Sequence, residues 1–127
     1  KLKAFRILWE LETGNTPYLF ATTTLENKES ENPYNNILRT TTECMSAIFG
    51  GANAIMVNSY NHSFEIPTEF SERIARNQQI ILRKESYLDK VTDPAKGSYY
   101  IDYLVSELLA DFKLGVYSVI PENNTGI

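Results

Sequence analysis

The sequence predicts an α/β fold of parallel strands with flanking helices, incomplete as a sheet. Three observations carry this. Segments with apolar residues at three- and four-residue spacing alternate with short aromatic and β-branched runs, the grammar of right-handed βαβ units. Only two runs read as strands, and a two-stranded sheet leaves both of its edges unpaired. The chain of 127 residues starts at Lys1, inside an amphipathic pattern, so the expectation is that further chain precedes it.

Over residues 1–12, Leu2, Phe5, Leu8 and Trp9 share one helical face, with Lys1, Lys3, Arg6, Glu10 and Glu12 mostly opposite. Thr13-Gly14-Asn15-Thr16-Pro17 stops this helix, because glycine accepts a left-handed cap and proline cannot continue. Tyr18 to Leu25 is a strand candidate, rich in aromatic and β-branched residues, and Glu26 to Asn32 is a polar loop. Pro33 is predicted to open the next helix, where its missing N–H costs little. Tyr34, Ile37, Leu38, Thr41, Met45 and Ile48 give that helix one expected buried face, and Gly50-Gly51 ends it.

Ala54-Ile55-Met56-Val57 reads as a strand buried on both faces. A loop through His62 leads to a helix from Thr68 to about Ser86, with Phe70, Ile74, Ile81 and Leu82 expected inward. After the Asp93–Gly97 turn, a last helix from Ser98 carries Ile101, Leu104, Val105, Leu108, Leu109 and Phe112 in register. From Lys113 the pattern departs: Gly115, Val116, Val119, Ile120 and Pro121 are predicted to break the helix. The expected division is therefore 1–112, with a divergent tail over 113–127.

Composition excludes several classes. A formal net charge of −4 offers no basic surface for nucleic acid or anionic membranes. No apolar run approaches the roughly 20 residues of a spanning helix, and no signal-peptide pattern is present. The single cysteine, Cys44, allows no internal disulfide and no cysteine zinc site. Cytoplasmic localisation is the expectation.

Specific residues carry a further reading. They are the run Asn32-Pro33-Tyr34-Asn35-Asn36-Ile37-Leu38-Arg39-Thr40-Thr41-Thr42-Glu43, then Gly50-Gly51-Ala52 and Ile66-Pro67-Thr68. Phe70-Ser71, Arg73-Ile74-Ala75-Arg76-Asn77 with Gln79, Glu85-Ser86, Asp93-Pro94 and Gly97-Ser98-Tyr99-Tyr100 follow in order. The ordered series, from about Phe5 to about Leu109, resembles methylmalonyl-CoA mutase in the late βα units of its (β/α)8 domain. That resemblance implies a partial TIM barrel, since a whole one needs about 250 residues. It implies radical interconversion of methylmalonyl-CoA and succinyl-CoA with adenosylcobalamin in the holoenzyme. Functional loops would then lie at the C-terminal ends of the strands: those ending at Tyr34-Asn35-Asn36, running from Ser59 to Glu65, and running from Asp93 to Ser98.

By the same resemblance, Glu43 of the Arg39-Thr40-x-x-Glu43 helix is expected near the adenosyl ribose, with Asn36 and Arg39 as further cofactor-binding residues. The alternative for Glu43 is a solvated or ion-paired helix residue. Catalytic large subunits carry a histidine and a glutamine where this chain has Phe20 and Thr22, and neither replacement does the same work. Asn27-Lys28 is similar to the small, non-catalytic subunit of heterodimeric mutases. The expected function is thus a small subunit that supports a large catalytic one. No catalytic residue is assigned, no cofactor is expected to bind this segment alone, and the resemblance implies an acyl-CoA as the family's substrate. The alternative is an excerpt of a catalytic acyl-CoA mutase that contributes to substrate and adenosylcobalamin binding. A third expectation is self-association through exposed strand edges.

The remaining signals read blandly. His62 lacks the Asp-x-His-x-x-Gly setting that the family's cobalt ligand has, and is expected in an exposed loop. Gly50-Gly51 is a helix stop rather than a phosphate cradle. Cys44 is an inert buried hydrophobe. Glu65, Glu69, Glu72, Arg73 and Arg76 form a solvated face. Of Tyr99 and Tyr100, at least one is expected in a core. Asn61-His62-Ser63 and Asn123-Asn124-Thr125 match a glycosylation pattern by chance.

Overall fold

The computed structural model describes residues 1–119, with side chains described through Phe112. The order is α1 (Leu2–Thr13), β1 (Phe20–Thr22), α2 (Asn35–Phe49), β2 (Ala54–Met56), α3 (Glu69–Lys84) and α4 (Tyr99–Val119). These form two compact units. One comprises Lys1, residues 3–17 and, among the described residues, 97–119; the other comprises Leu2 and residues 18–96.

In the first unit, α1 ends where Gly14 takes the left-handed conformation and donates its N–H to Glu10 O, as the glycine predicts. Phe5 and Trp9, one turn apart, hold their ring centroids at 5.9 Å. The Arg6 guanidinium donates to Pro17 O at 3.3 Å. Helix α4 passes through Gly115 and Val116 to Val119, so the predicted break does not occur there. Within a helix, the roughly 1 kcal/mol cost of one glycine is tolerated. Ile120, Pro121 and the Asn123-Asn124-Thr125 pattern lie outside the described residues. Tyr99 and Tyr100 are both exposed, which corrects the expectation that one would pack in a core; they open a helix whose first turn faces outward.

The second unit is a βαβα arrangement. Strands β1 and β2 run parallel, pairing Phe20 with Ala54, Ala21 with Ile55 and Thr22 with Met56. Alternation then divides the faces. Ile55 packs with Met45, Ile48 and Leu88 against a core of Cys44, Val57, Ala75 and Leu82. Phe20 and Met56, on the opposite face, are 61% and 47% exposed. Each strand is three residues long, shorter than the expected Tyr18–Leu25 and Ala54–Val57, because each has a single neighbour to define its ladder.

Pro33 sits two residues before α2, just ahead of its cap Tyr34, not inside it. The bonds Asn35 N–H to Asn32 O, Asn36 N–H to Pro33 O and Ile37 N–H to Tyr34 O wind a tight lead-in. The far end closes on Gly51, whose φ is 79°; Gly51 N–H reaches Ile48 O and Ala52 N–H reaches Ala47 O. This is the paired 5→2 and 6→1 pattern that a left-handed residue makes. Helix α3 opens on a capping box, Thr68 Oγ1 accepting from Ser71 N–H and Ser71 Oγ accepting from Thr68 N–H.

The buried faces differ from those predicted. In α2 the buried residues are Asn36, Thr40, Cys44 and Ala47, while Tyr34 and Leu38 are exposed. In α3 they are Ser71, Ala75, Gln78 and Leu82, and Phe70 and Ile81 are half exposed. Gln78 bridges the two helices, its Nε2 donating to Ile37 O at 2.7 Å and to Thr40 and Thr41 Oγ1 at 2.8 and 2.6 Å. Small and hydrogen-bonded residues allow close helix approach. The large apolar side chains sit to either side.

Candidate functional site

Because β1 and β2 are parallel, the segments that follow them, 23–34 and 57–68, leave the sheet at the same end. Asn58 stitches the two strand ends. Its N–H donates to Thr23 Oγ1 at 2.9 Å, and its Nδ2 donates to Thr23 O at 2.6 Å and Thr22 Oγ1 at 3.2 Å. Thr23 N–H in turn donates to Met56 O. Sequence reasoning did not single out Asn58 or Thr23. Their signal, a polar residue just past each strand, became meaningful only once the strands were paired.

Asn36, 0% exposed, joins both loops. Its Oδ1 accepts from Glu29 N–H at 3.1 Å and from Arg39 Nη1 at 2.7 Å. Its Nδ2 donates to Glu29 O at 2.8 Å and Tyr60 O at 2.9 Å. A carboxamide offers two donors and two acceptor lone pairs, so Asn36 is fully committed. Arg39 also pairs with Glu29, Nη2 to Oε1 at 3.0 Å, at a partly exposed position; such a pair contributes little to stability by itself.

Glu43 stands about two turns further along α2 and reaches back to the β1–α2 loop. Its Oε1 accepts from Asn27 Nδ2 and Lys28 Nζ, both at 2.7 Å, and its Oε2 accepts from Thr24 N–H at 3.1 Å. The structure thus brings Asn36, Arg39 and Glu43 to one stripe of α2 and sets all three against residues 24–29. Asn36 has no capacity left for a cofactor. Glu43 Oε2, with one donor, and the outer guanidinium edge of Arg39 retain some.

The segment 59–65 is a compact turn, with His62 N–H donating to Ser59 O, and Phe64 and Glu65 N–H to Asn61 O. Asn61 is buried, its Nδ2 donates to Glu65 Oε2 at 3.2 Å, and its Oδ1 is a buried acceptor without a partner. His62 itself is exposed. Tyr34 and Tyr60 meet across the two loops with ring centroids 5.4 Å apart and planes tilted by 47°, and desolvation, then the neighbouring Tyr34, raises the Tyr60 hydroxyl above its ordinary value. Cys44 lies in the core, and burial pushes its thiol up.

Among the described residues, no three His, Cys, Asp or Glu side chains gather as a metal site. No described helix is long and apolar enough to cross a membrane.

Comparison with known proteins identifies the family. The methylmalonyl-CoA mutase family model matches residues 1–119. The chain is 41% identical over 117 residues to methylmalonyl-CoA mutase of Rhizobium meliloti (strain 1021), an alignment covering 85% of this chain and 16% of that one. It is 39% identical over 118 residues to the methylmalonyl-CoA mutase small subunit of Porphyromonas gingivalis, covering 85% and 19%. With the probable mitochondrial methylmalonyl-CoA mutase of Caenorhabditis elegans it shares 47% over 78 residues, covering 61% and 10%. The chain therefore spans less than a fifth of the length of these relatives. With the family model matching nearly its whole length and the βαβα order intact, the chain belongs to the methylmalonyl-CoA mutase family.

Proposed function

We propose that this chain is a slice of the (β/α)8 domain of a mutase subunit of the small, non-catalytic type, which folds against a large catalytic subunit and turns over no substrate itself. One observation carries the reading: the polar groups at the strand ends are committed to one another. Thr22 Oγ1 accepts from Asn58, Asn36 is saturated by Glu29, Arg39 and Tyr60, and Glu43 is held by residues 24–28. A catalytic rim needs groups aimed at a substrate rather than at their neighbours. Phe20, where the resemblance places a histidine in catalytic chains, has neither donor nor acceptor.

The partial barrel belongs to the same proposal. The exposed Phe20–Met56 face is where further strands would close a barrel interior, and β1 and β2 each keep an edge that such strands would pair. So does the division into a barrel part at 1–112 and a divergent tail. Adenosylcobalamin, when bound in the whole assembly, supplies the radical that starts the rearrangement. Were the chain instead an excerpt of a catalytic mutase, Glu43 through Oε2 and Arg39 would be the residues to touch it, with Asn36 holding Arg39. The proposed compartment is the cytoplasm.

The experiment mixes the full-length protein with a large mutase subunit. The expected result is a stable heterodimer whose turnover stays within about twofold on Glu43→Gln, and a full-length protein that binds no acyl-CoA alone. Loss of turnover with assembly intact would overturn the reading in favour of a catalytic chain. Self-pairing of the protein without a large subunit would point to strand-edge association instead.

A further inference from the structure

We propose that the Lys28–Glu43 ion pair is a conformational latch that fixes the 24–28 segment shut against helix α2. The latch rests on this chain's geometry and stands apart from the small-subunit reading.

Lys28 belongs to a loop, yet its side chain is 0% exposed, and its Nζ lies 2.7 Å from Glu43 Oε1. The same ammonium donates to Asn27 Oδ1 at 2.6 Å, and Asn27 Nδ2 donates to the same Glu43 oxygen. Lysine, asparagine and carboxylate therefore form a closed triangle. Thr24 N–H adds a main-chain donor to the other oxygen. The bonds from main-chain N–H groups within the segment itself are local and long: Glu26 N–H to Thr24 Oγ1 at 3.2 Å and Lys28 N–H to Leu25 O at 3.4 Å. Order in 24–28 thus comes from Glu43, not from the segment. A second fixing point follows at once, where Asn36 and Arg39 hold Glu29.

A buried ammonium is a costly way to fill space, since a buried ion pair often adds no stability over an apolar pair of similar volume. What it adds is selectivity among closed conformations, because one that keeps Lys28 inside but parts it from Glu43 would leave the ammonium buried and unpaired. The chemistry fits a catch. One charge sits on a rigid helix, the other on the segment to be held.

The test is amide hydrogen exchange on the full-length protein, comparing the unaltered chain with Lys28→Met and Lys28→Arg. Methionine keeps most of the stem volume, and Glu43 remains as acceptor for Thr24 N–H. The expected result is at least about tenfold faster exchange over residues 24–28 in Lys28→Met, an unchanged Glu29 amide, and most of the protection restored in Lys28→Arg. Exchange over 24–28 within twofold of the unaltered chain would overturn the latch. So would equal loosening at Glu29, because the segment would then move as one piece with the Asn36 anchor. Should Lys28→Met fail to fold, acetylation of the unaltered protein by an amine-reactive ester decides the matter. Lys28 is expected to react at least about tenfold more slowly than exposed Lys84, and equal rates would overturn the proposal.

Discussion

Gln78 of α3 reaches across 38 residues of sequence to Thr40 of α2, Nε2 to Oγ1 at 2.8 Å, where both side chains are buried. The pair sets how closely the two helices approach, since its hydrogen bonds replace the apolar interlock that larger side chains would make. Gln78→Leu fills similar volume but leaves the two threonine hydroxyls and Ile37 O without this donor. It is expected to cost about 1–3 kcal/mol, measured by urea denaturation of the full-length protein.

Asn36→Asp keeps the shape and removes both donors, so a carboxylate would face Glu29 O and Tyr60 O. Breaking a buried network in this way is expected to destabilise by about 3 kcal/mol. The loss should exceed that of Arg39→Gln, whose side chain is partly exposed. A smaller effect for Asn36→Asp than for Arg39→Gln in thermal melting would show that the carboxamide does not organise the loops.

Tyr87, with φ at 54°, is a non-glycine residue in the left-handed region. It turns the chain so that Leu88 N–H reaches Leu82 O and the Leu88 side chain returns to the core. Because Tyr87 is exposed, little packing is lost on Tyr87→Gly. The substitution relieves about 1 kcal/mol of backbone cost, so a rise in melting temperature is expected.

Burial raises the Cys44 thiol above its ordinary value of 9.0. A folded-state value above the unfolded one means the native state holds its proton longer. The resulting stability is fully present below about pH 9 and is lost as pH climbs through the folded value. Alkylation at pH 8 should therefore be slow in the native protein and rapid in denaturant. Comparable rates in both would place Cys44 outside the core.

Phe20 is exposed in this chain, and the barrel proposal assigns it an interior. In the full-length protein, Phe20→Ala is expected to cost about 3–5 kcal/mol, as for an interior phenylalanine. A loss below about 0.5 kcal/mol, the range of ordinary surface changes, would mean that no strands cover that face.

Element order was legible in the residues alone. Glycine and proline punctuation and two β-rich runs placed four helices and two strands in order, because these signals act over one turn of chain; only the end of the last helix was missed by several residues. Family membership was legible for a similar reason, as an ordered series of short local motifs. What the sequence could not determine is which face of α2 or α3 goes inward. Apolar periodicity favoured Tyr34, Leu38, Phe70 and Ile81, yet the interior took Asn36, Thr40, Ser71 and Gln78. A polar side chain is buried cheaply only when a partner meets it. The partners here, Glu29 and Tyr60 for Asn36 and Gln78 for Thr40, come from segments that only tertiary folding brings together. The same holds for Glu43, whose surroundings at Thr24, Asn27 and Lys28 exist only once the loop folds back on its helix.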